Sequence, residues 1–442
     1  MSILHKPHFN LTFLRHFHKH KPTKSHLRNP IPFIKDLKSI DNPDEALTIY
    51  HDYLQTNLFK HDYPSYSTLI YKLARNKDFT AVNSLLFDLQ RYNVKCKEPL
   101  FIGLIQHYGK CGLVDEAVEL FHKIPSFDCY RSLQSVNAVI NVLVENGRLC
   151  EGLEVFKGCP KMGFKPNVVT FNVVIKGWLR KGEWGEARKV FDEMRERQVE
   201  PSVASYNCLI GFWCKKGEFV EGKRLFDEMI EKGKKPNAAT YGLLMEALCL
   251  EGKFKEAKKM MFDMEYRGCK ARLVNYGVLM NDLAKRGEFD EAKGLLLEMK
   301  KRRIRPDVVM YDILINYLCK ESRAGEAYKI LVEMQVNGFE PNAATYRMVV
   351  DGFCRNGEFE EGLKVLNVML TSRHCARVET FCSLVMGLAN NGKMDDAFFV
   401  MEEMVKRRMS PDLVAWEALV ASTCGGDRSG NFLVAEFATV TK

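Results

Sequence analysis

Apolar positions along this 442-residue chain recur with two periods at once. The short one is helical. In the stretch 168–202, VVTFNVVIKGWLRKGEWGEARKVFDEMRERQVEPS, residues Phe171, Val174, Ile175, Trp178 and Leu179 fall at three- and four-residue steps, one face of a helix. Gly182 interrupts the pattern, and Ala187, Val190, Phe191 and Met194 form a second apolar face. Glu183 and Glu186 suit the first turn of that second helix, and Arg195 and Arg197 its last, by their charge against the helix dipole. Pro201 bars continuation. The stretch therefore predicts a helical hairpin.

The long period is 35 residues. Proline stands at Pro166, Pro201, Pro236, Pro306, Pro341 and Pro411, with Ala271 and Ala376 in the gaps. On the same beat fall an aromatic series from Phe171 through Tyr206 and Tyr241 to Trp416, a methionine series from Met194 to Met404, and a glycine series from Gly112 to Gly392 broken at Ser322. A period this regular marks a repeat array. One hairpin cannot bury its apolar face alone, so stacking on neighbours must supply the core. Small residues at Ala187, Gly222, Ala257 and Ala292 let the two helices of a hairpin approach closely. The expected fold is all-α: a right-handed α-solenoid of 35-residue helical hairpins with no β-sheet. Ten full units run from Tyr63 to Asp412. A degenerate unit over 29–62 precedes them, with Ala46 in the small-residue place, and 413–442 forms a partial unit or cap followed by a tail.

The formal charge of +9 suggests a nucleic-acid partner, but its distribution changes that picture. Seven of the 65 Lys and Arg fall within the first 35 residues, which hold no acid, leaving 58 bases against 56 acids in the remainder. Any such partner must be met by charges placed within the repeat. The acid-free stretch 1–28 is basic and rich in histidine (His5, His8, His16, His18, His20, His26). It reads as a removable organelle transit peptide. The other reading is a disordered basic tail. Sparse serine there favours the mitochondrion over the chloroplast. No stretch is long and apolar enough to span a membrane.

The 14 cysteines contain no C-x-x-C pair, so neither a metal site nor any cofactor is expected. Counting Val168 as position 1 of its unit, Cys214, Cys249, Cys319, Cys354 and Cys424 all occupy position 12, as small apolar residues of the first helix. No nucleotide-binding, nucleophile-elbow or zinc-protease motif occurs, and the chain is not expected to be an enzyme.

The 35-residue unit, its opening TFN, SYN or TYG at positions 3 to 5, the FDEM run at Phe191–Met194 and Phe226–Met229, and the closing KPN, RPD and EPN resemble those of pentatricopeptide repeat proteins. The uniform unit length resembles the P-type subgroup. The resemblance implies binding of single-stranded RNA, organellar mRNA or rRNA, one base to a repeat. It also implies that position 5 of a unit and its position 35 read the base edge. Those pairs are Asn137 with Asn167, Asn172 with Ser202, and Asn207 with Asn237, which resemble pyrimidine readers, and Gly277 with Asp307, which resembles a guanine reader. Pairs such as Gly242 with Arg272, Asp312 with Asn342 and Arg347 with Arg377 have no legible match. The bland account of the asparagines after the aromatic is that they cap the first helix.

Position 2 (Val169, Ala204, Ala239, Val274, Val309, Ala344) reads either as a wedge between bases, by the same resemblance, or as a small residue opening a helix. The position-4 aromatics read as core. Position 13 is basic at Arg180, Lys215, Lys285, Lys320 and Arg355, which suits either phosphates or the negative end of a helix dipole. The expected role is sequence-selective RNA binding in organellar transcript stability, processing or translation. The alternative is a structural component of a mitochondrial ribosome that contacts rRNA and protein, favoured by the cations Arg272, Arg347, Arg377 and Lys97 at reading positions.

Overall fold

The computed structural model describes residues 40, 43–55, 62–407 and 409–424. The expected leader, the tail after Cys424, and all of the degenerate unit apart from helix Pro43–Gln55, Ile40 and Asp62 lie outside them. Every element among the described residues is helical, with no strand. The chain divides into two compact units, Met1–Glu200 and Pro201–Lys442.

Within the first unit, the first helices Tyr63–Arg75, Glu98–Lys110, Leu133–Glu145 and Val168–Lys181 pack side by side in chain order. Each also packs on the second helix that follows it: Phe79–Arg91, Val114–Lys123, Leu149–Gly158 and Trp184–Glu196. Within the second unit the same order runs through Val203–Lys215, Ala238–Leu250, Leu273–Lys285, Val308–Lys320, Ala343–Arg355, Val378–Asn390 and Leu413–Cys424. Their hairpin partners there are Phe219–Glu231, Phe254–Tyr266, Phe289–Lys301, Ala324–Val336, Phe359–Thr371 and Met394–Lys406. The second helices of the 98–132 and 133–167 repeats stop early, at Lys123 and Gly158, with 10 residues instead of 13. Both carry proline at position 28, Pro125 and Pro160, which lacks the N–H and clashes with the preceding turn.

The core follows the long period. Phe171, Tyr206, Tyr241, Tyr276, Tyr311, Tyr346 and Phe381 are buried, so the position-4 aromatics are core. Met194, Met229, Met264, Met299, Met334, Met369 and Met404 are wholly inaccessible, as are Ala187, Ala257, Ala292, Ala327 and Ala397 at the hairpin contact. At the same place in the 203–237 repeat, a Cβ on Gly222 would lie 2.8 Å from Cys214 Sγ. Burial pushes the thiols of Cys214, Cys249, Cys319 and Cys354 up to about 12, in keeping with packing residues rather than nucleophiles. Four expected core members differ: Trp178, Leu179, Val190 and the last position-4 aromatic, Trp416, are only partly buried. Trp178 is like Trp213 at the same position, whereas Leu248, Leu283 and Leu318 there are buried outright. The slot admits a leucine, and an indole protrudes from it.

The helix joints explain the glycine series. Gly182 adopts φ 83, and the N–H of Glu183 closes back on the Trp178 carbonyl at 3.0 Å. That closure is a Schellman turn, which needs a left-handed residue. Ser322, the break in the series, adopts the same conformation at φ 56, and the Arg323 N–H reaches the Leu318 carbonyl at 2.9 Å. The serine is strained where glycine is not.

Phe191→Ala, at a fully buried side chain, should cost about 3–5 kcal/mol. Hydrogen exchange should rise first in the hairpin Val168–Lys181 and Trp184–Glu196, whereas a rise spread evenly over the chain would mean a single cooperative core. Ser322→Gly should stabilise by about 0.5–1 kcal/mol in denaturant unfolding, and a loss of stability would refute the strained joint.

Candidate nucleic-acid interface

The N-termini of the first helices set the site. Each begins one residue after position 35, so position 35 is the N-cap. Asn167 accepts from the N–H groups of Val169 and Thr170 at 3.0 and 3.2 Å, Asn237 from Thr240 at 3.0 Å, and Asn342 from Ala344 and Thr345 at 2.8 and 3.1 Å. Ser202 accepts from Ser205 N–H at 3.3 Å, and Asp307 from Met310 N–H at 3.2 Å. The cap that the alternative reading placed at the asparagine after the aromatic thus belongs five residues earlier. Position 35 is Asn, Ser or Asp in these repeats because those side chains reach an N–H two or three residues on. Lys97 and Arg377, at the same position, make no cap bond.

Position 5 is the fifth residue of the helix, just past the first turn, and caps nothing. Asn137 and Asn172, on helices Leu133–Glu145 and Val168–Lys181 of the first unit, are half-buried, and each keeps an amide oxygen buried without a hydrogen-bond partner. Asn207, in the second unit, is half-buried and accepts a hydrogen bond from Thr240 Oγ1 at 2.8 Å. Asp312 accepts from Thr345 Oγ1 at 2.7 Å. Burial raises the Asp312 carboxyl above the usual range, against the opposing effect of that hydroxyl. The cap residues Asn167 and Asn237 are exposed, and Ser202 and Asp307 are half-buried.

Position 2 stands outside the core. Val169, Val274 and Val309 are 54%, 47% and 55% exposed. Within the second unit the structure brings several of these positions together. A groove of about 470 Å³ is lined by Val274, Gly277, Lys285, Asp307, Val309 and Met310. It contains the position-2 residues of two successive repeats, the expected guanine-reading pair and one of the position-13 cations. Such a volume suits a compact ligand, and its lining combines apolar walls with a few polar groups. Gly277 leaves it open, since a Cβ there would lie 3.1 Å from Met310 Cε. A second groove, of about 690 Å³, brings Arg355 and Arg377 beside Asp351, Glu379 and Thr380.

The five cations Arg180, Lys215, Lys285, Lys320 and Arg355 are exposed and close their first helices or stand one residue from the close. They sit where the helix dipole favours positive charge, so that reading and the phosphate reading describe the same place. Arg180 differs from the others in pairing with Glu145 at 2.8 Å, the acid at the same position of the preceding repeat. Lys320 lies over the Tyr317 ring, and Arg355 Nε donates to the Asp351 carbonyl at 3.2 Å.

Sequence reasoning missed position 3. The fully buried polar residues among those described run from Ser65 through Thr170, Thr240 and Asn275 to Thr380, all at this position, with Leu100 and Met310 filling two gaps. The signal was present as the T or S that opens TFN, SYN and TYG.

Models described as the PPR repeat family match residues 166–211, 201–250 and 306–355. A pentatricopeptide repeat domain model matches 260–321. A PPR repeat model matches 101–129, 239–269, 344–374 and 379–409. The mitochondrial pentatricopeptide repeat-containing protein At1g07740 of Arabidopsis thaliana is 55% identical over 133 residues, 29% of this chain and 29% of that protein. A second mitochondrial one, At5g16420, is 39% identical over 92 residues, 20% of this chain and 17% of that protein. The matched segments thus span less than a third of either relative. The crystal structure of the pentatricopeptide repeat protein PPR10 from maize aligns with a TM-score of 0.44 at 21% identity, covering 94% of this chain and 70% of that one. With repeat models matching well over half of its length, this chain belongs to the pentatricopeptide repeat family.

Proposed function

We propose that this chain is a P-type member of the family that binds single-stranded RNA sequence-selectively in the mitochondrion. It acts on transcript stability, processing or translation by occupying RNA rather than by catalysis. The observation that carries this reading is the groove around Gly277. There Val274 and Val309 form exposed apolar walls, Asp307 offers an acceptor, and Lys285 offers a cation at one end. Apolar walls suit the faces of a base, short polar groups suit its edge, and a cation repeated along the helix ends suits the backbone. The basic, acid-free composition of residues 1–28 and the mitochondrial names of the two Arabidopsis relatives support the location.

A second reading, a structural RNA-contacting part of a ribosome, is favoured by Arg347 and Arg377, which place two cations at the reading positions of one repeat. Cations there favour phosphate contact over base readout.

Selection from a randomised RNA pool at two salt concentrations tests the proposal. Asn207→Ala removes a base-reading group without removing a helix cap and should change preference at one RNA position by about tenfold, in line with roughly 1–3 kcal/mol for a matched base. Lys285→Gln with Lys320→Gln should weaken all sequences alike and lower the salt slope by about 0.7 for each phosphate no longer neutralised. Uniform binding with no base preference at any position would favour the ribosomal reading. No binding at all would refute both.

A further inference from the structure

The buried hydroxyl at position 3 does two jobs at once in the repeat that begins at Ala238. Thr240 Oγ1 accepts from the backbone N–H of Asn237 at 3.2 Å, while Asn237 Oδ1 accepts from Thr240 N–H at 3.0 Å. This reciprocal pair is a capping box. The hydroxyl still has one proton to give. The nearer acceptor is Asn207 Oδ1 at 2.8 Å, on the preceding repeat, against 3.1 Å for Asn237 Oδ1, which already holds an N–H. With its oxygen held from inside, Asn207 has its amide NH2 left for a ligand. Thr345 repeats the arrangement with Asp312 at 2.7 Å, next to the cap Asn342. There the residue held is a carboxylate, which can only accept.

The contact between position 3 and the preceding position 5 persists where no hydroxyl is present. Gly242 and Gly277 stand at position 5, and the next position 3 is then the larger Asn275 or Met310. A Cβ added to either glycine would meet Asn275 Nδ2 at 3.7 Å or Met310 Cε at 3.1 Å. Side-chain size at the two positions is complementary across four repeat junctions of the second unit.

Building on the RNA-binding reading, we propose that the position-3 hydroxyl of the following repeat is a positioning residue for base recognition. Thr240 sets the orientation of Asn207, and Thr345 that of Asp312. The Thr240 hydroxyl takes the Asn207 oxygen and turns its amide NH2, a donor, toward the base, whereas Thr345 holds one oxygen of Asp312, an acceptor in either orientation, so these two repeats select bases of opposite edge chemistry. An amide free to flip would present oxygen or nitrogen and would discriminate poorly.

The test uses the full chain, the same randomised RNA selection, and the RNA position that Asn207→Ala identifies. Thr240→Val keeps the shape and removes the hydroxyl. It should lower base preference at that position by about 3- to 10-fold, the worth of one hydrogen bond, and leave the other positions unchanged. Thr240→Ser should retain the preference. A purely structural role for the hydroxyl would lower affinity for every RNA equally and leave the preference intact, and that result would overturn the inference. If circular dichroism shows Thr240→Val to be unfolded, Thr345→Val at the Asp312 position is read by the same criterion. A wild-type chain that binds with a base preference which the valine variants keep sinks this inference alone. A wild-type chain that binds no RNA sinks the functional reading and this inference with it.

Discussion

A hairpin of two 13-residue helices presents more apolar surface than its own two helices can cover. Helix Ala238–Leu250 shows the consequence: Tyr241, Leu244, Met245 and Leu248 are buried together with Ala238 and Ala247, so it is enclosed on several sides. Its partner, Phe254–Tyr266, buries only Ala257, Met261 and Met264. First helices are therefore interior elements, covered by their own second helix and by the first helices before and after. Stacking of like on like is what makes the fold stable, and it also fixes which parts of a first helix remain accessible. These are the exposed cap and position 2 at one end and the cations at the other. Within each unit, the candidate interface lies at first-helix positions that stacking leaves uncovered.

That constraint also explains why the structural roles coincide with the proposed reading roles. A first helix begins with unpaired N–H groups that must be satisfied, and a short polar residue at position 35 does so. The same residue stands beside position 2 of the next helix and within reach of a ligand in the groove. Position 5 of one repeat meets position 3 of the next only because adjacent first helices pack closely. The contact of Asn207 with Thr240, and that of Asp312 with Thr345, does not exist within a single hairpin. In the proposed reading, recognition at these two junctions draws on two residues from one repeat and one from the next.

Much of this was legible from the chain alone because a 35-residue beat is hard to mistake. The hairpin, the glycine joint at Gly182, the buried aromatics and the hairpin contact at Ala187 all follow from spacing. Details set by size or by a single proton were not legible. Trp178 keeps the right spacing yet protrudes, because periodicity reports the face of a helix and not the width of its slot. Pro125 and Pro160 shorten two second helices within units of unchanged length. The alternative reading of the position-5 asparagine as a cap fails, because the helix begins four residues before it and the residue at position 35 holds the first N–H groups. Thr240 and its equivalents were visible as letters of a motif. The contacts of Thr240 and Thr345 were hidden, because each depends on an acceptor in the preceding repeat at hydrogen-bond distance.

The central claim is that RNA lies along the first-helix edge, and ultraviolet crosslinking of the full chain to single-stranded RNA, with the crosslinked peptides identified by mass spectrometry, tests it most directly. The account predicts crosslinks that recur at 35-residue intervals around positions 2, 5 and 35, including the neighbourhoods of Asn207, Val274 and Val309. Crosslinks concentrated on the outward faces of second helices such as Phe254–Tyr266, or scattered without the 35-residue recurrence, would contradict it.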